Sequence, residues 1–156
     1  SSNSEIAAAV LKEIPPGATQ AEIEIIVAKY SKILVPSDLS SGVPLIADAY
    51  DNLDSLYAAI DAGTCPGGVC RHRSAVAFGL INEATGSDDY LLVVFPPKNG
   101  QNGHQFVLNT VTGTVIDGGL VTTADAIIEA GYPIEEWLVV VPGPNGTQAA
   151  YPLVQP

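Results

Sequence analysis

The spacing of apolar residues changes at Gly86, and this change constrains the fold more than any other feature of the chain. Before Gly86, apolar side chains recur every three or four residues, which predicts helices over residues 5–13, 20–34, 45–62 and 70–85. After Gly86, short apolar runs predict one short helix over 123–130 and strands over 90–95, 104–111, 114–117 and 137–141. The Gly- and Pro-rich stretch from Pro142 onward fits either an edge strand or extended coil. Helices followed by antiparallel strands predict a single α+β domain over residues 1–156.

Local signals mark where several of these elements begin and end. Thr19, with Glu22 three residues later, has the pattern of a capping box at the start of the second helix. Gly86 follows the helix over 70–85 and predicts its end. The pair at 112–113, Thr-Gly, predicts a two-residue turn that joins two strands into a hairpin.

The charge balance excludes several classes of partner. Lys and Arg total 6 against 17 Asp and Glu, for a net charge of −11. Nucleic acids and anionic membrane surfaces are negatively charged and attract proteins with a positive surface. Neither is therefore an expected partner of this acidic chain. Hydrophobic residues make up 47% of the 156 residues, which is enough for a buried core. No apolar run reaches the roughly 18–20 residues that span a bilayer, so no membrane span is expected.

The two arginines of this acidic chain lie one and three residues after a cysteine. Cys70 follows a Gly-rich loop and is predicted to start a helix, where unpaired backbone N–H groups and the helix dipole favour a thiolate. Arg71 and Arg73 add positive charge at the same place. Cys70 is therefore a candidate nucleophile, and the alternative is a small buried apolar residue. The arginines, in turn, either favour the thiolate or pair with surface carboxylates.

A nucleophilic cysteine needs a base, and the chain has two histidines. His72 lies two residues from Cys70, so on a helix it points about 200° away from it. We interpret His72 as structural or solvent-exposed. His104 opens a predicted strand after a long polar loop, where it can meet a helix start in space. His104 is therefore the candidate base, and the alternative is an ordinary residue at a strand end.

The base in turn needs an orienting group, for which Asp117 is the candidate. Asp117 ends the next predicted strand, and its alternative role is to cap a turn. A two-residue turn at 112–113 places Leu108 opposite Asp117, whereas direct opposition to His104 requires a turn centred on 110–111. Asn109 is five positions from His104 and points to the other face of the strand, so it ranks below Asp117.

Three segments carry a family resemblance. Residues 68–78 read Gly-Val-Cys-Arg-His-Arg-Ser-Ala-Val-Ala-Phe, residues 103–108 read Gly-His-Gln-Phe-Val-Leu, and residues 115–117 read Val-Ile-Asp. In this order they resemble the transglutaminase-like branch of the papain-like cysteine enzymes, including papain-fold toxin domains that deamidate protein glutamines. Residues 18–30 resemble the helix before that core, so the resemblance covers residues 18–119. It implies a papain-like (transglutaminase-like) catalytic core with N-terminal helices followed by an antiparallel sheet.

The resemblance also implies an activity. Cys70 would be the nucleophile, His104 the base and Asp117 the orienting residue of a cysteine hydrolase or acyltransferase. Such domains form a thioester with an amide carbonyl of a protein or peptide and release an amine or ammonia, and we expect no cofactor for this chain. Glutamine deamidation or transamidation is the first expectation and peptide-bond cleavage is the alternative. The missing start Met favours an excised toxin or effector domain, secreted or delivered, with a basic partner or immunity protein.

Three further alternatives stay open. Cys65, Cys70, His72 and His104 could supply four zinc ligands, although the spacing matches common zinc sites poorly, and we predict no metal site. A disulfide between Cys65 and Cys70 would make activity depend on a reductant. A non-catalytic module with the same fold could use its acidic surface to hold a basic partner. No oxyanion-binding side chain stands out, and Asn52 and Tyr57 are the candidates.

Overall fold

The computed structural model describes residues 5–35, 70–98, 100–101, 103–142 and 148–155. The predicted helix over 45–62 and the residues Asn52, Tyr57 and Cys65 lie outside the described residues, as do the side chains of Cys70 and Arg71. The described helices are α1 (Glu5–Lys12), α2 (Gln20–Leu34), α3 (Cys70–Thr85) and α4 (Ala124–Glu129), and a 3-10 turn covers Ile134–Glu136. The described strands are β1 (Tyr90–Phe95), β2 (His104–Asn109), β3 (Thr114–Asp117), β4 (Leu120–Thr123), β5 (Leu138–Pro142) and β6 (Gln148–Pro152).

The six described strands form one antiparallel sheet in the order β4-β3-β2-β1-β5-β6. The predicted α+β class, with helices before an antiparallel sheet, is therefore confirmed. Helices α2 and α3 begin and end at the predicted residues. The Gly- and Pro-rich tail contributes the edge strand β6.

Strand β4 was not predicted, although the sequence contains a signal for it. Gly118 and Gly119 both have positive φ, +58° and +100°, and they form the two-residue turn that pairs Asp117 with Leu120. A glycine pair adopts this turn at little steric cost, and the twist of the turn matches that of the flanking strands. The sheet is therefore extended by one short edge strand beyond the predicted hairpin.

Two layers cover the two faces of the sheet. Helices α2 and α3 pack on one face, and α4 with the segment after it covers the other face. The first cluster includes Val27, Val76, Leu80, Leu92, Val107 and Ile116. The second cluster includes Val93, Phe95, Phe106, Ile127 and Trp137. Burial of each large apolar side chain contributes about 2 kcal/mol, so both layers hold the sheet in place.

The register of the β2–β3 hairpin differs from the predicted one. Leu108 pairs with Val115, β2 ends at Asn109 and β3 begins at Thr114. Four residues, 110–113, therefore connect the strands instead of the predicted two. Asn109 explains the difference, because its side-chain oxygen accepts hydrogen bonds from the backbone N–H groups of residues 111 and 112, at 2.9 and 3.2 Å. This local cap ends β2 early. The next pair in this register places Asp117 opposite Phe106, diagonally across from His104.

The helix ends follow the predicted signals. Thr19 and Glu22 form the predicted capping box, since each accepts a hydrogen bond from the backbone N–H of the other, at 3.2 and 3.1 Å. Helix α3 ends at Thr85, just before Gly86, whose φ is +60° and whose N–H donates to the carbonyl of Asn82. A left-handed residue of this kind is a common way to end a helix. A short connection then leads from α3 into β1.

Candidate functional site

His104 and Asp117 meet at one end of the sheet. His104 is the first residue of β2 and Asp117 is the last residue of β3. Because the strands are antiparallel and their register makes the two residues diagonal neighbours, the side chains leave the same face. His104 Nε2 lies 2.8 Å from Asp117 Oδ2, and the two side chains are 20% and 21% exposed. The structure thus brings together two of the three predicted site residues.

The hydrogen bond determines which nitrogen of His104 can act as a base. An ionised carboxylate only accepts hydrogen bonds, so with Asp117 ionised the Nε2–H group of His104 is the donor and Asp117 Oδ2 is the acceptor. In the neutral imidazole the lone pair then lies on Nδ1. In a nucleophile–base pair built on this tautomer, Nδ1 would be the atom that takes the proton, and Asp117 would stabilise the resulting imidazolium.

Two aromatic side chains lie against the imidazole. The Tyr132 ring stacks on it, with centroids 5.2 Å apart and ring planes 25° apart. Phe106, two residues along β2 on the same face, lies 5.7 Å away at 40°. Tyr132 was not among the predicted site residues, because it lies in the connection after α4 and only the fold brings it to β2.

The start of α3 lies near the start of β2. Gln105 Nε2 donates to Ser74 Oγ at 2.8 Å, which joins the second residue of β2 to the second turn of α3. Cys70 is one helical turn before Ser74, on the same side of the helix. Its side chain lies outside the described part of the chain. The backbone position of Cys70 is therefore at the same end of the sheet as His104.

His104 and Gln105 face opposite layers of the domain, because neighbouring residues in a strand point to opposite faces of the sheet. Gln105 reaches α3, whereas His104 stacks on Tyr132 in the layer that contains α4. A contact between Cys70 and the imidazole would therefore be made around the end of the sheet, beyond its last backbone pairs. His104, at the first position of β2, stands at that end.

Arg73 contacts a helix end, which neither expectation for the arginines foresaw. Its Nε donates to the carbonyl oxygen of Val35 at 2.6 Å, and Val35 is the C-cap of α2. A cation at this position satisfies an unpaired carbonyl and complements the negative end of the helix dipole. Arg73 thereby ties the first turn of α3 to the end of α2.

His72 is fully buried in α3. Its interpretation as a structural residue agrees with this burial, and the alternative, that it is solvent-exposed, is wrong. Helix α3 packs against both α2 and the sheet, so little of its surface is left for solvent. A buried imidazole at this position belongs to the packing of the helix rather than to a surface.

A second polar centre lies on the face of the sheet that α2 covers. The carboxylate of Glu24 is 2% exposed and accepts hydrogen bonds from Tyr90 Oη at 2.6 Å, Asn109 Nδ2 at 3.0 Å and Thr114 Oγ1 at 2.7 Å. Burial, together with the neighbouring Glu24, raises the pKa of the Tyr90 phenol above its usual value. Asn109 lies on the face opposite His104, as predicted. We call these four side chains the Glu24 cluster.

No family model, curated protein or solved structure matches the chain. Across the described ranges, no group of three or more His, Cys, Asp or Glu side chains is arranged to hold a metal ion. The side chains of Cys65 and Cys70, on which the zinc and disulfide alternatives depend, lie outside those ranges. Among the helices that the structure describes, none is both long and apolar enough to cross a membrane.

Proposed function

We propose that the chain is a cysteine-dependent acyl-transfer enzyme acting on amide bonds of a protein or peptide. Cys70 is the nucleophile, His104 the base and Asp117 the orienting residue. The observation that carries the proposal is the 2.8 Å hydrogen bond between His104 and Asp117, at the end of the sheet where α3 begins. The proposal includes a papain-like (transglutaminase-like) core, since a helix that starts with cysteine packs beside a strand that starts with histidine.

In the proposed reaction, His104 takes up one proton and returns it in each of the two half-reactions. The thiol proton of Cys70 passes to Nδ1 of His104, and the sulfur attacks the amide carbon. Backbone N–H groups in the first turn of α3 stabilise the oxyanion that forms. The imidazolium returns its proton to the nitrogen as the C–N bond breaks, which leaves a thioester and releases an amine or ammonia. Water then hydrolyses the thioester, or a second amine takes the acyl group, and His104 passes the proton of that nucleophile back to the sulfur.

The charge of the chain favours a basic substrate. A net charge of −11 attracts basic proteins at long range and repels acidic ones. The proposed substrate is therefore the amide of a glutamine side chain in a basic protein, and cleavage of its backbone is the alternative outcome. A basic partner or immunity protein that blocks the site, as expected for a toxin or effector, would use the same attraction.

The reactivity of the Cys70 thiol tests the nucleophile. Iodoacetamide labelling in the presence of a reductant, followed at Cys70 by peptide mass spectrometry, measures the thiolate across pH. At neutral pH we expect Cys70 to react at least about tenfold faster than a small-molecule thiol, and His104→Ala to remove this advantage. Cys65→Ala is the matched control and should leave the rate at Cys70 unchanged. A rate equal to that of a simple thiol, and insensitive to His104→Ala, would instead favour the non-catalytic acidic module.

The products identify the reaction. Basic proteins incubated with the enzyme are compared by mass spectrometry with samples treated with Cys70→Ala. Exchange of a glutamine NH2 for OH indicates deamidation, cross-linked species indicate transamidation, and fragments indicate peptide-bond cleavage. The first result is the one we expect. If the parent protein and Cys70→Ala leave every substrate in the same state, the proposed activity on basic proteins is wrong.

A further inference from the structure

We propose that Tyr132 is a positioning residue for the His104 imidazole and stabilises its protonated form. The inference deepens the proposed function and rests on it. Its basis is the near-parallel stack of the two rings, 5.2 Å between centroids and 25° between planes. The ring covers one face of the imidazole, whose edge is bonded through Nε2 to Asp117.

Tyr132 is held in place by contacts that do not involve His104. Its carbonyl accepts a hydrogen bond from Trp137 Nε1 at 2.9 Å, and its ring meets Phe95 edge to face at 5.1 Å and 77°. The preceding carbonyl, of Gly131, accepts from Gln101 Nε2 at 3.1 Å. Gly131 has a φ of +109°, a conformation that favours glycine and turns the chain after α4 toward the sheet. The position of the Tyr132 ring is therefore set by contacts other than its stack on His104.

The stack has two physical consequences for the base. It opposes rotation of the imidazole about its bond to Cβ, which keeps Nε2 directed at Asp117 and Nδ1 directed away from it. It also places an electron-rich ring face against the imidazole, which favours the positively charged form that the proposed reaction generates. Without the ring, His104 should turn more freely and hold its second proton less firmly.

The two effects can be measured without turnover, because the chain has only two histidines and His72 is fully buried. NMR titration of the imidazole signals follows His104 in the intact protein. We expect Tyr132→Leu to lower the titration midpoint of His104 by about half a pH unit, and Tyr132→Phe, which keeps the ring, to leave it unchanged. Tyr151→Leu, at an exposed tyrosine on β6, is the matched control and should also leave it unchanged.

The same variants are then compared in turnover. We expect Tyr132→Leu to lower kcat about tenfold with little change in KM, since a misoriented base affects the chemical step. If Tyr132→Leu does not fold, Gln101→Ala is used instead, because it removes a hydrogen bond that holds the same connection from its exposed side. It should lower the titration midpoint and kcat as Tyr132→Leu would. An unchanged midpoint in the folded variant would overturn the role of Tyr132. A shifted midpoint in a protein without any turnover would keep that role and reject the proposed function.

Discussion

Within the part of the chain that the structure describes, Glu24 and Asp117 both accept side-chain hydrogen bonds from the sheet, but they lie on opposite faces and in different surroundings. Glu24 is 2% exposed and is bonded by a phenol, an amide and a hydroxyl. The Asp117 side chain is 21% exposed and is bonded by an imidazole. None of the three donors to Glu24 exchanges protons readily near neutral pH, whereas an imidazole does. The two centres therefore differ in their partners, because only the second contains a group that can transfer a proton near neutral pH.

The two centres also differ in what they join. The Glu24 cluster connects α2 to three strands, through Tyr90 on β1, Asn109 on β2 and Thr114 on β3. The bond between His104 and Asp117 joins β2 to β3, which already pair through their backbones. Loss of the first centre therefore weakens the attachment of a helix to the sheet. Loss of the second leaves every layer in place.

Asp117→Ala tests the chemical half of this comparison and has the largest expected effect. Without the carboxylate, His104 loses both the group that orients it and the charge that stabilises its protonated form. We expect kcat/KM for the acyl transfer to fall about 100-fold. The free energy of unfolding, measured by urea denaturation, should fall by only about 1 kcal/mol, because the pair is partly exposed and β2 and β3 keep their backbone hydrogen bonds.

Asp125→Ala is the matched control, because Asp125 is an exposed aspartate in the first turn of α4. It should leave kcat/KM within about twofold of the parent value. If Asp117→Ala retains full activity, the imidazole needs no carboxylate partner and the distinction between the two centres disappears. A large loss of stability would move Asp117 into the same structural class as Glu24.

Glu24→Gln tests the structural half and should reverse the pattern. The amide keeps one acceptor oxygen but places two N–H donors against side chains that already donate to Glu24. Buried donors without acceptors are costly, so we expect the free energy of unfolding to fall by about 2 kcal/mol. Below the unfolding transition, the labelling rate of Cys70 should match that of the parent protein. A slower rate at Cys70 in the folded variant would show that the two faces of the sheet are coupled.

Apolar spacing predicts those parts of the fold that depend on local pattern. Helices α2 and α3 and strand β1 have the predicted bounds because each is long or strongly apolar. The register of the β2–β3 hairpin departs from the prediction because Asn109 caps its own turn, a side-chain effect that apolar alternation does not contain. Strand β4 depends on the glycine pair before it, which is a turn signal visible in the sequence. The strand itself has only four residues, which is too short for a clear alternating pattern.

The site is predictable to the extent that it lies on two adjacent strands. His104 and Asp117 are 13 residues apart, and strand alternation places them on one face both for the predicted two-residue turn and for the observed four-residue connection. Tyr132 and Glu24 could not be found in this way. Tyr132 reaches the imidazole from a connection in another layer, and the donors to Glu24 follow it by 66 to 90 residues. Contacts of this kind are decided by packing between layers, which leaves no periodic signal in either segment.

Tyr90→Phe gives the smallest expected effect and tests whether the Glu24 cluster depends on pH. The variant removes one of three donors to Glu24, so the free energy of unfolding at neutral pH should fall by about 1 kcal/mol. Burial and the bond to Glu24 raise the pKa of the Tyr90 phenol above its usual 10.0. A raised pKa stabilises the fold below pH 10, and this contribution is lost as the pH rises further.

In urea denaturation, the parent protein should therefore lose stability above pH 10 more steeply than Tyr90→Phe does, whereas the exposed control Tyr151→Phe should follow the parent. Equal slopes in all three proteins would mean that the phenol keeps its usual acidity and that Glu24 is held by Asn109 and Thr114 alone.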